Sequence, residues 1–224
     1  MSAIAVENVW KFYGDYPALR DVSFSVEPGA CLAMLGRNGA GKTTLLKILA
    51  GLSRPAKGKV DMPPRDRVGV LGHGIGIYDE LSAHENLMIF AKLFGVRDAN
   101  SAVMDWLTRT GLDKVKDSPV REFSRGMRQR LAVARAFLHK PSILLLDEPF
   151  TALDDRAIAL LQGLLEDAKR GGATIVMSTH QLREALELAT DVLLIQRGKL
   201  AFRGERTARM VEDPAYIYKT YGEA

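Results

Sequence analysis

A chain of 224 residues, 47% of them hydrophobic and 26% charged, has the make-up of one globular domain with room for an inserted subdomain. No apolar run approaches the roughly eighteen residues of a membrane-spanning helix, and residues 1–7 lack the basic and apolar regions of a signal peptide, so neither is expected. The net charge of +4 reads as a scattered basic surface with no nucleic acid expected as partner, and the single cysteine, Cys31, allows no internal disulfide and suits a reducing compartment.

The first thirty residues read as short strands. Val22, Phe24 and Val26 alternate with Ser23, Ser25 and Glu27, the period of a half-buried strand, and Glu27-Pro28-Gly29 makes the turn that follows. Upstream, Lys11-Phe12-Tyr13-Gly14 offers an aromatic ring suited equally to packing or to stacking on a flat nucleobase. The apolar run 31–35 is a buried strand. It leads into Gly36-Arg37-Asn38-Gly39-Ala40-Gly41-Lys42-Thr43, and then into a helix-forming run with Leu45, Leu46, Ile48 and Leu49 that stops at Gly51. This is GxxxxGK followed by Thr, in the strand–loop–helix setting a phosphate loop requires. Glycines let backbone N–H groups turn inward around phosphate oxygens, and the helix start adds the positive end of its dipole. Lys42 then reaches the β- and γ-phosphates as a point charge, and Thr43 offers a hydroxyl to Mg²⁺. Gly36, Asn38, Gly39, Ala40, Gly41 and Thr44 complete the predicted nucleotide-binding set.

Residues 58–71 carry a further strand signal ending in Val68-Gly69-Val70-Leu71, followed by a glycine-rich loop, Gly72-His73-Gly74-Ile75-Gly76. From Ser82 the period becomes helical. Leu87, Phe90, Ala91 and Phe94 form one stripe, Val103, Trp106, Leu107 and Thr110 a second, and Met127, Leu131, Ala134 and Leu138 a third, with Ser124 placed as N-cap. A helical block over about 84–140 thus interrupts a strand-rich region. His84 and His139 fall on its helices, where solvated positions are expected, and Arg121, Arg125, Arg128, Arg130 and Arg135 cluster on and before the third, most of them read as a solvated face and some as partners for phosphate.

Strands return at 142–146, 173–177 and 192–195. Between them lie amphipathic helices through Ile158, Leu161, Leu165 and Ala168, and through Leu182, Leu186 and Ala189. Continuous apolar strands separated by helices predict a parallel sheet covered on both faces. A hairpin turning at Arg197-Gly198-Lys199 follows, then a polar tail from Gly204. The strand 142–146 runs into Asp147-Glu148-Pro149, and ligands of a doubly wound sheet sit at the carboxyl ends of its strands. Asp147 is therefore the candidate holder of Mg²⁺, directly or through water, and Glu148 the candidate base for an attacking water.

Six segments together resemble the ATP-binding subunits of ABC transporters, over about residues 3–205. They are Lys11-Phe12-Tyr13-Gly14, the phosphate loop, Phe123-Ser124-Arg125-Gly126-Met127-Arg128-Gln129-Arg130, Leu146-Asp147-Glu148-Pro149, Ala152-Leu153-Asp154 and Ser178-Thr179-His180. The resemblance implies an α/β P-loop NTPase fold: a doubly wound, mostly parallel sheet with an N-terminal antiparallel β subdomain and an inserted helical subdomain. The expected division is 1–83 with 141–205 as nucleotide-binding core, 84–140 as helical subdomain and 206–224 as C-terminal tail. It further implies that Tyr13 stacks on the adenine of ATP, and that His180 contacts the γ-phosphate beside Lys42 and Glu148. Ser124 and Gly126 would bind the γ-phosphate of ATP held by a second copy of the chain, and Asp154 would communicate across that dimer. An integral membrane permease, met at the cytoplasmic face of the membrane, is the other implied partner, and Ile75, Ile77 and Tyr78 are either part of its docking groove or local core.

Two departures from the family pattern stand out. The usual Leu-Ser-Gly-Gly-Gln signature reads Phe123-Ser124-Arg125-Gly126-Met127, which keeps the anion-binding Ser124 and Gly126. Where most members place a glutamine that ligates Mg²⁺, this chain has His73, and Mg²⁺ prefers oxygen. These features look most like the haem-exporter ATPases of cytochrome c maturation, and resemble drug, polysaccharide or lipid exporter ATPases as well. A soluble ABC ATPase of translation or DNA repair would usually carry a second nucleotide domain or a long coiled coil, and a non-hydrolysing regulator would need neither Glu148 nor His180.

Overall fold

The structure, a computed structural model, describes residues 2–72 and 76–222. Strands β1 (Ile4–Tyr13) and β2 (Tyr16–Val26) form an antiparallel hairpin, paired from Ile4↔Val26 to Tyr13↔Tyr16 with shifts of register between Val6 and Phe12. Val22, Phe24 and Val26 point inward as their alternation requires. At ten and eleven residues the strands are longer than the short ones expected. The reason lies at the turn end, where Phe12, Tyr13 and Tyr16 continue the ladder while exposed, so no alternation of burial marks them.

Strand β3 (Cys31–Leu35) is buried throughout and leads through the glycine loop into helix α1 (Lys42–Leu49). Burial pushes the Cys31 thiol up to about 12, which makes it an inert core group. The strand signal over 58–71 divides between two sheets. Strand β4 (Lys57–Asp61) pairs antiparallel with β1 and completes a three-stranded sheet in the order β2-β1-β4. Strand β5 (Val68–Leu71) joins a second sheet. Helices α2 (Ala83–Leu93), α3 (Ala99–Arg109) and α4 (Arg125–Phe137) follow, with Ser82 and Glu85 forming a capping box on α2 and Ser124 capping α4. Then come β6 (Ile143–Asp147), α5 (Asp155–Arg170), β7 (Thr174–Ser178), α6 (Leu182–Leu188), β8 (Asp191–Gln196) and β9 (Lys199–Glu205).

The second sheet has the order β5-β6-β7-β3-β8-β9, parallel except for β9. The β8–β9 hairpin turns on Arg197 and Gly198, both at positive φ, as a tight two-residue turn demands. Alternate residues of the central strands feed two cores. Leu32, Met34, Leu145, Val176 and Leu193 pack with α1 and the three-stranded sheet. Ala33, Leu35, Leu144, Leu146, Ile175 and Met177 pack with the helices of the opposite face. Both faces of the sheet are thus covered, which is why its strands read as unbroken apolar runs.

Three expectations need correction. The segment after Gly204 is not a polar tail: helices α7 (Ala208–Glu212) and α8 (Tyr216–Tyr221) bury Met210 and Ile217 in the main core, and Tyr221 stacks on Phe202 at 4.0 Å. Helices of five and six residues are too short to display a periodic stripe. Arg135 is not solvated; it is 7% exposed, donates to the Val70 carbonyl at 2.6 Å and lies over the Phe90 ring. His139 lies just past α4 rather than on it, stacked on Phe94 at 4.0 Å with both ring nitrogens shut away from solvent. His84 does start α2 and meets Asn100 Oδ1 at 3.0 Å. Among the described residues no helix is long and apolar enough to cross a membrane.

Candidate active site

The phosphate loop is walled by main chain. Gly41 sits at φ 112, and a Cβ there would lie 2.7 Å from the Ala18 carbonyl oxygen. Gly36 sits at φ 152, where a Cβ would come within 2.4 Å of the Ile195 carbonyl oxygen. Only glycine fits a backbone pressed this closely at positive φ. The Gly198 N–H donates to the Ala40 carbonyl at 3.0 Å, so the β8–β9 turn also braces the loop. Helix α1 begins with no side-chain cap and no acidic residue in its first turn, which leaves its N-terminal N–H groups for an anion.

Lys42 folds back over this loop and is 7% exposed. Its Nζ donates to the carbonyls of Gly36 at 2.8 Å and Arg37 at 3.3 Å. Burial lowers the ammonium's pKa, against the opposing pull of Glu148 and Asp147.

Asp147, the last residue of β6, is 8% exposed. Its Oδ1 accepts from Thr43 Oγ1 at 3.2 Å and from Ser178 Oγ. Strands β6 and β7 lie in register at Asp147↔Ser178, so the residues that follow them also meet. Glu148 takes a left-handed φ of 54, an uncommon conformation for a non-glycine residue, and donates its N–H to the Ser178 carbonyl at 2.9 Å. Its Oε2 lies 2.7 Å from His180 Nδ1 and accepts from the His180 N–H at 3.2 Å.

A groove of about 680 Å³ gathers Tyr13, Tyr16, the loop from Asn38 to Thr44, Glu148, Thr151 and His180. A smaller cleft of about 310 Å³ adjoins it through Glu148 and Thr151, and is lined by Asp147, Gly72, Ile77, Asp79, Arg125, Arg128 and Gln129. Ser124, Gly126 and Asp154 line neither. Ser124 Oγ accepts from the Met127 N–H at 3.2 Å, and Asp154 Oδ1 from the Ala157 N–H at 2.8 Å, each capping its own helix at the surface. His73 and Ile75 lie outside the described residues. Ile77 packs against the core whereas Tyr78 is half exposed.

Tyr16, Ala18 and Thr151 line the groove and escaped the sequence reading. Tyr16 pairs with Tyr13 across the hairpin, and the two aromatics flanking Gly14-Asp15 were its only signal. Thr151 follows the acidic pair with nothing to mark it. The Thr43 hydroxyl and Asp147 carboxylate bring together two hard oxygen donors, which suits Mg²⁺ with its remaining positions taken by phosphate and water. Among the described residues no three His, Cys, Asp or Glu side chains form a metal cluster of their own.

The comparisons agree with this geometry. The family model described as ABC transporter matches residues 19–151. ABC transporter ATP-binding protein NatA of Bacillus subtilis is 37% identical, over 84% of this chain and 81% of its own length. Nod factor export ATP-binding protein I of Cupriavidus metallidurans is 38% identical over 92% and 72%, and lantibiotic transport ATP-binding protein SrtF of Streptococcus pyogenes is 33% identical over 90% of each. A solved ATP-binding subunit of an ABC transporter superposes with a TM-score of 0.86 at 28% identity, covering 100% of this chain and 96% of that one. A dimeric ATP-binding cassette in a post-hydrolysis state with ADP and Pi shares the fold, with a TM-score of 0.82 at 24% identity over 92% and 99%. None of these relatives is named for haem export. A phosphate loop facing a carboxylate pair, both within a family match covering more than half the chain, settles the assignment: the protein belongs to the ABC transporter family as an ATP-binding, ATP-hydrolysing subunit.

Proposed function

We propose that this ATPase works as a pair of identical subunits that close head to tail over two ATP molecules and drive export through a separate membrane permease. One observation carries the pairing. The groove is furnished by Lys42, Glu148 and His180, while Ser124 and Gly126, at an anion-seeking helix start, are absent from it. A second copy turned end to end would bring its Ser124 and Gly126 to the open side of the γ-phosphate, with Asp154 at the seam. The dimeric state of the solved cassette that holds ADP and Pi supports this arrangement.

Within each site Tyr13, half exposed at the groove wall, would stack on adenine. The loop amides and Lys42 would hold the phosphates, and Thr43 and Asp147 would hold Mg²⁺, which neutralises charge developing on the phosphates. Glu148, with Oε2 already engaged by His180, has Oε1 to accept the proton of the attacking water. In this reading residues 84–140 act as a helical subdomain that carries Ser124, and 1–83 with 141–205 as the nucleotide core. The exposed Tyr78 would meet the permease, which would place the subunit at the cytoplasmic face of a membrane. Relatives named for Nod factor export and lantibiotic transport favour export. Haem as cargo rests only on His73 and the Phe-Ser-Arg-Gly-Met signature.

The test is Glu148→Gln. With ATP and Mg²⁺ it should double its mass by size-exclusion chromatography with light scattering, while turnover falls at least about 100-fold. Normal turnover, or a monomer at saturating ATP, would remove this reading.

A further inference from the structure

Strand β3 loses both neighbours at its carboxyl end: its ladder with β7 ends at Met34↔Ser178 and that with β8 at Leu35↔Leu194. The next donor, the N–H of Gly36, therefore needs an acceptor from outside the sheet. Tyr218 supplies it, 182 residues along the chain, with its Oη 3.1 Å away. The carbonyl of the same glycine takes the Lys42 ammonium at 2.8 Å. One residue thus links the Tyr218 phenol to the cation expected to meet the phosphates.

The helix that presents Tyr218 is fastened on several sides. Ile217 is fully buried, Tyr221 stacks on Phe202, Lys219 pairs with Asp213 at 3.0 Å, and the Gly222 N–H closes on the Tyr218 carbonyl at 3.0 Å. Burial, opposed by the Gly36 N–H and by Arg37 and reinforced by Glu148, raises the phenol's pKa, so its hydroxyl stays neutral at physiological pH. Packing alone would need only the ring. The hydroxyl is what reaches the loop.

We infer that Tyr218 is a positioning residue for ATP, which fixes the first peptide of the phosphate loop and so couples docking of α8 to nucleotide binding. The inference rests on the reading of 36–43 as the ATP phosphate loop. Coupling of this kind is reciprocal: if docked α8 strengthens ATP binding, bound ATP must strengthen the docking of α8 by the same factor.

Tyr218→Phe keeps the ring and removes the acceptor. The dissociation constant and KM for ATP should each rise about tenfold, the effect of stranding one donor in the loop, with kcat changed by less than about twofold. In the same variant the Gly36 amide signal should move in a ¹H–¹⁵N spectrum. Saturating ATP should slow backbone hydrogen exchange over 216–221 in the native protein and not in Tyr218→Phe. Native-like ATP affinity in the variant, with exchange over 216–221 indifferent to ATP in both proteins, would overturn the inference. Lys42→Ala measured alongside separates the two levels. If it still binds ATP, the phosphate-loop reading fails and takes this inference with it; if it loses ATP while Tyr218→Phe binds normally, only the role of Tyr218 fails.

Discussion

His180 holds a single oxygen of Glu148 twice, through its backbone N–H at 3.2 Å and its ring Nδ1 at 2.7 Å. The pair is a product of sheet register, since Asp147 and Ser178 are partners and the chains emerge side by side. Two contacts to one oxygen fix the direction of the carboxylate as well as its place. Replacing His180 by Ala should therefore lower kcat by about 10–100-fold and leave ATP affinity nearly unchanged, because the backbone contact survives. Groups that act as a unit are not additive, so Glu148→Gln with His180→Ala should be no slower than Glu148→Gln alone. Single-turnover assays on the three variants decide it, and multiplied losses would show independent action.

Ser124 has one role visible within its own subunit, capping α4 through the Met127 N–H. Ser124→Asp keeps that cap and should leave the melting temperature within a few degrees of native, since Asp caps a helix as well as Ser does. It also sets a negative charge where the partner's γ-phosphate would lie. The ATP-dependent dimer should then be lost while the monomer binds ATP normally. Ser124→Arg should block the dimer by bulk, at the further cost of about 1 kcal/mol for the lost cap. Equal loss of ATP binding by monomeric Ser124→Asp would place Ser124 in its own subunit's site.

Tyr78 is held by its backbone rather than by its ring. Its N–H and carbonyl both bond to the Asn86 amide, which is 1% exposed, whereas the Tyr78 side chain is 50% exposed and touches Phe90 at a centroid distance of 6.4 Å. Tyr78→Asp should thus lower the melting temperature by only about 1–3 °C and spare ATP hydrolysis in the isolated subunit. Binding to the membrane permease, measured in detergent or nanodiscs, should weaken at least about tenfold. A drop of many degrees would make Tyr78 a core residue.

His139 sets a pH dependence of stability. Burial lowers its pKa from the ordinary 6.5, and the Val68 backbone and Asp66 nearby offset only part of that shift. Its folded pKa lies below its unfolded one, so between the two values the unfolded chain binds more protons. The stability of the folded state is then complete above about pH 6.5 and declines as the pH falls toward the folded value. His139→Phe keeps an aromatic stack on Phe94 and removes the titration. Melting temperatures at about pH 7.5 and 5.5 should differ less in the variant than in the native protein, other groups being common to both. Parallel curves would show a histidine that titrates as it does unfolded.

Much of the site was legible because its chemistry is local. The glycine loop with Lys42 and Thr43, and the acidic pair ending β6, are each written within eight residues, flanked by apolar runs that declare their strands. What joins them is not local. That Asp147 Oδ1 meets both Thr43 and Ser178 depends on the strand order β6-β7-β3, which no single segment encodes. Arg135 was misplaced for the same reason: it borders the stripe of Leu131, Ala134 and Leu138, and only the Val70 carbonyl of a distant strand makes its burial tolerable. Tyr218 sits in a short segment of mixed polarity, where no periodicity could announce its contact with Gly36.

The walls around Gly36 and Gly41 also bear on how this site can change over generations. Because those walls include the carbonyl oxygens of Ile195 and Ala18, changing the side chain at 195 or 18 removes neither wall. The converse is less forgiving. Shortening Leu19 would clear one of the two close contacts, each under 3 Å, that a Cβ at position 41 would make, but the Ala18 carbonyl is present whatever residue stands there. A damaged Gly41→Ala therefore has no single neighbouring substitution to rescue it, and lineages that lose either glycine are expected to recover only by reversion.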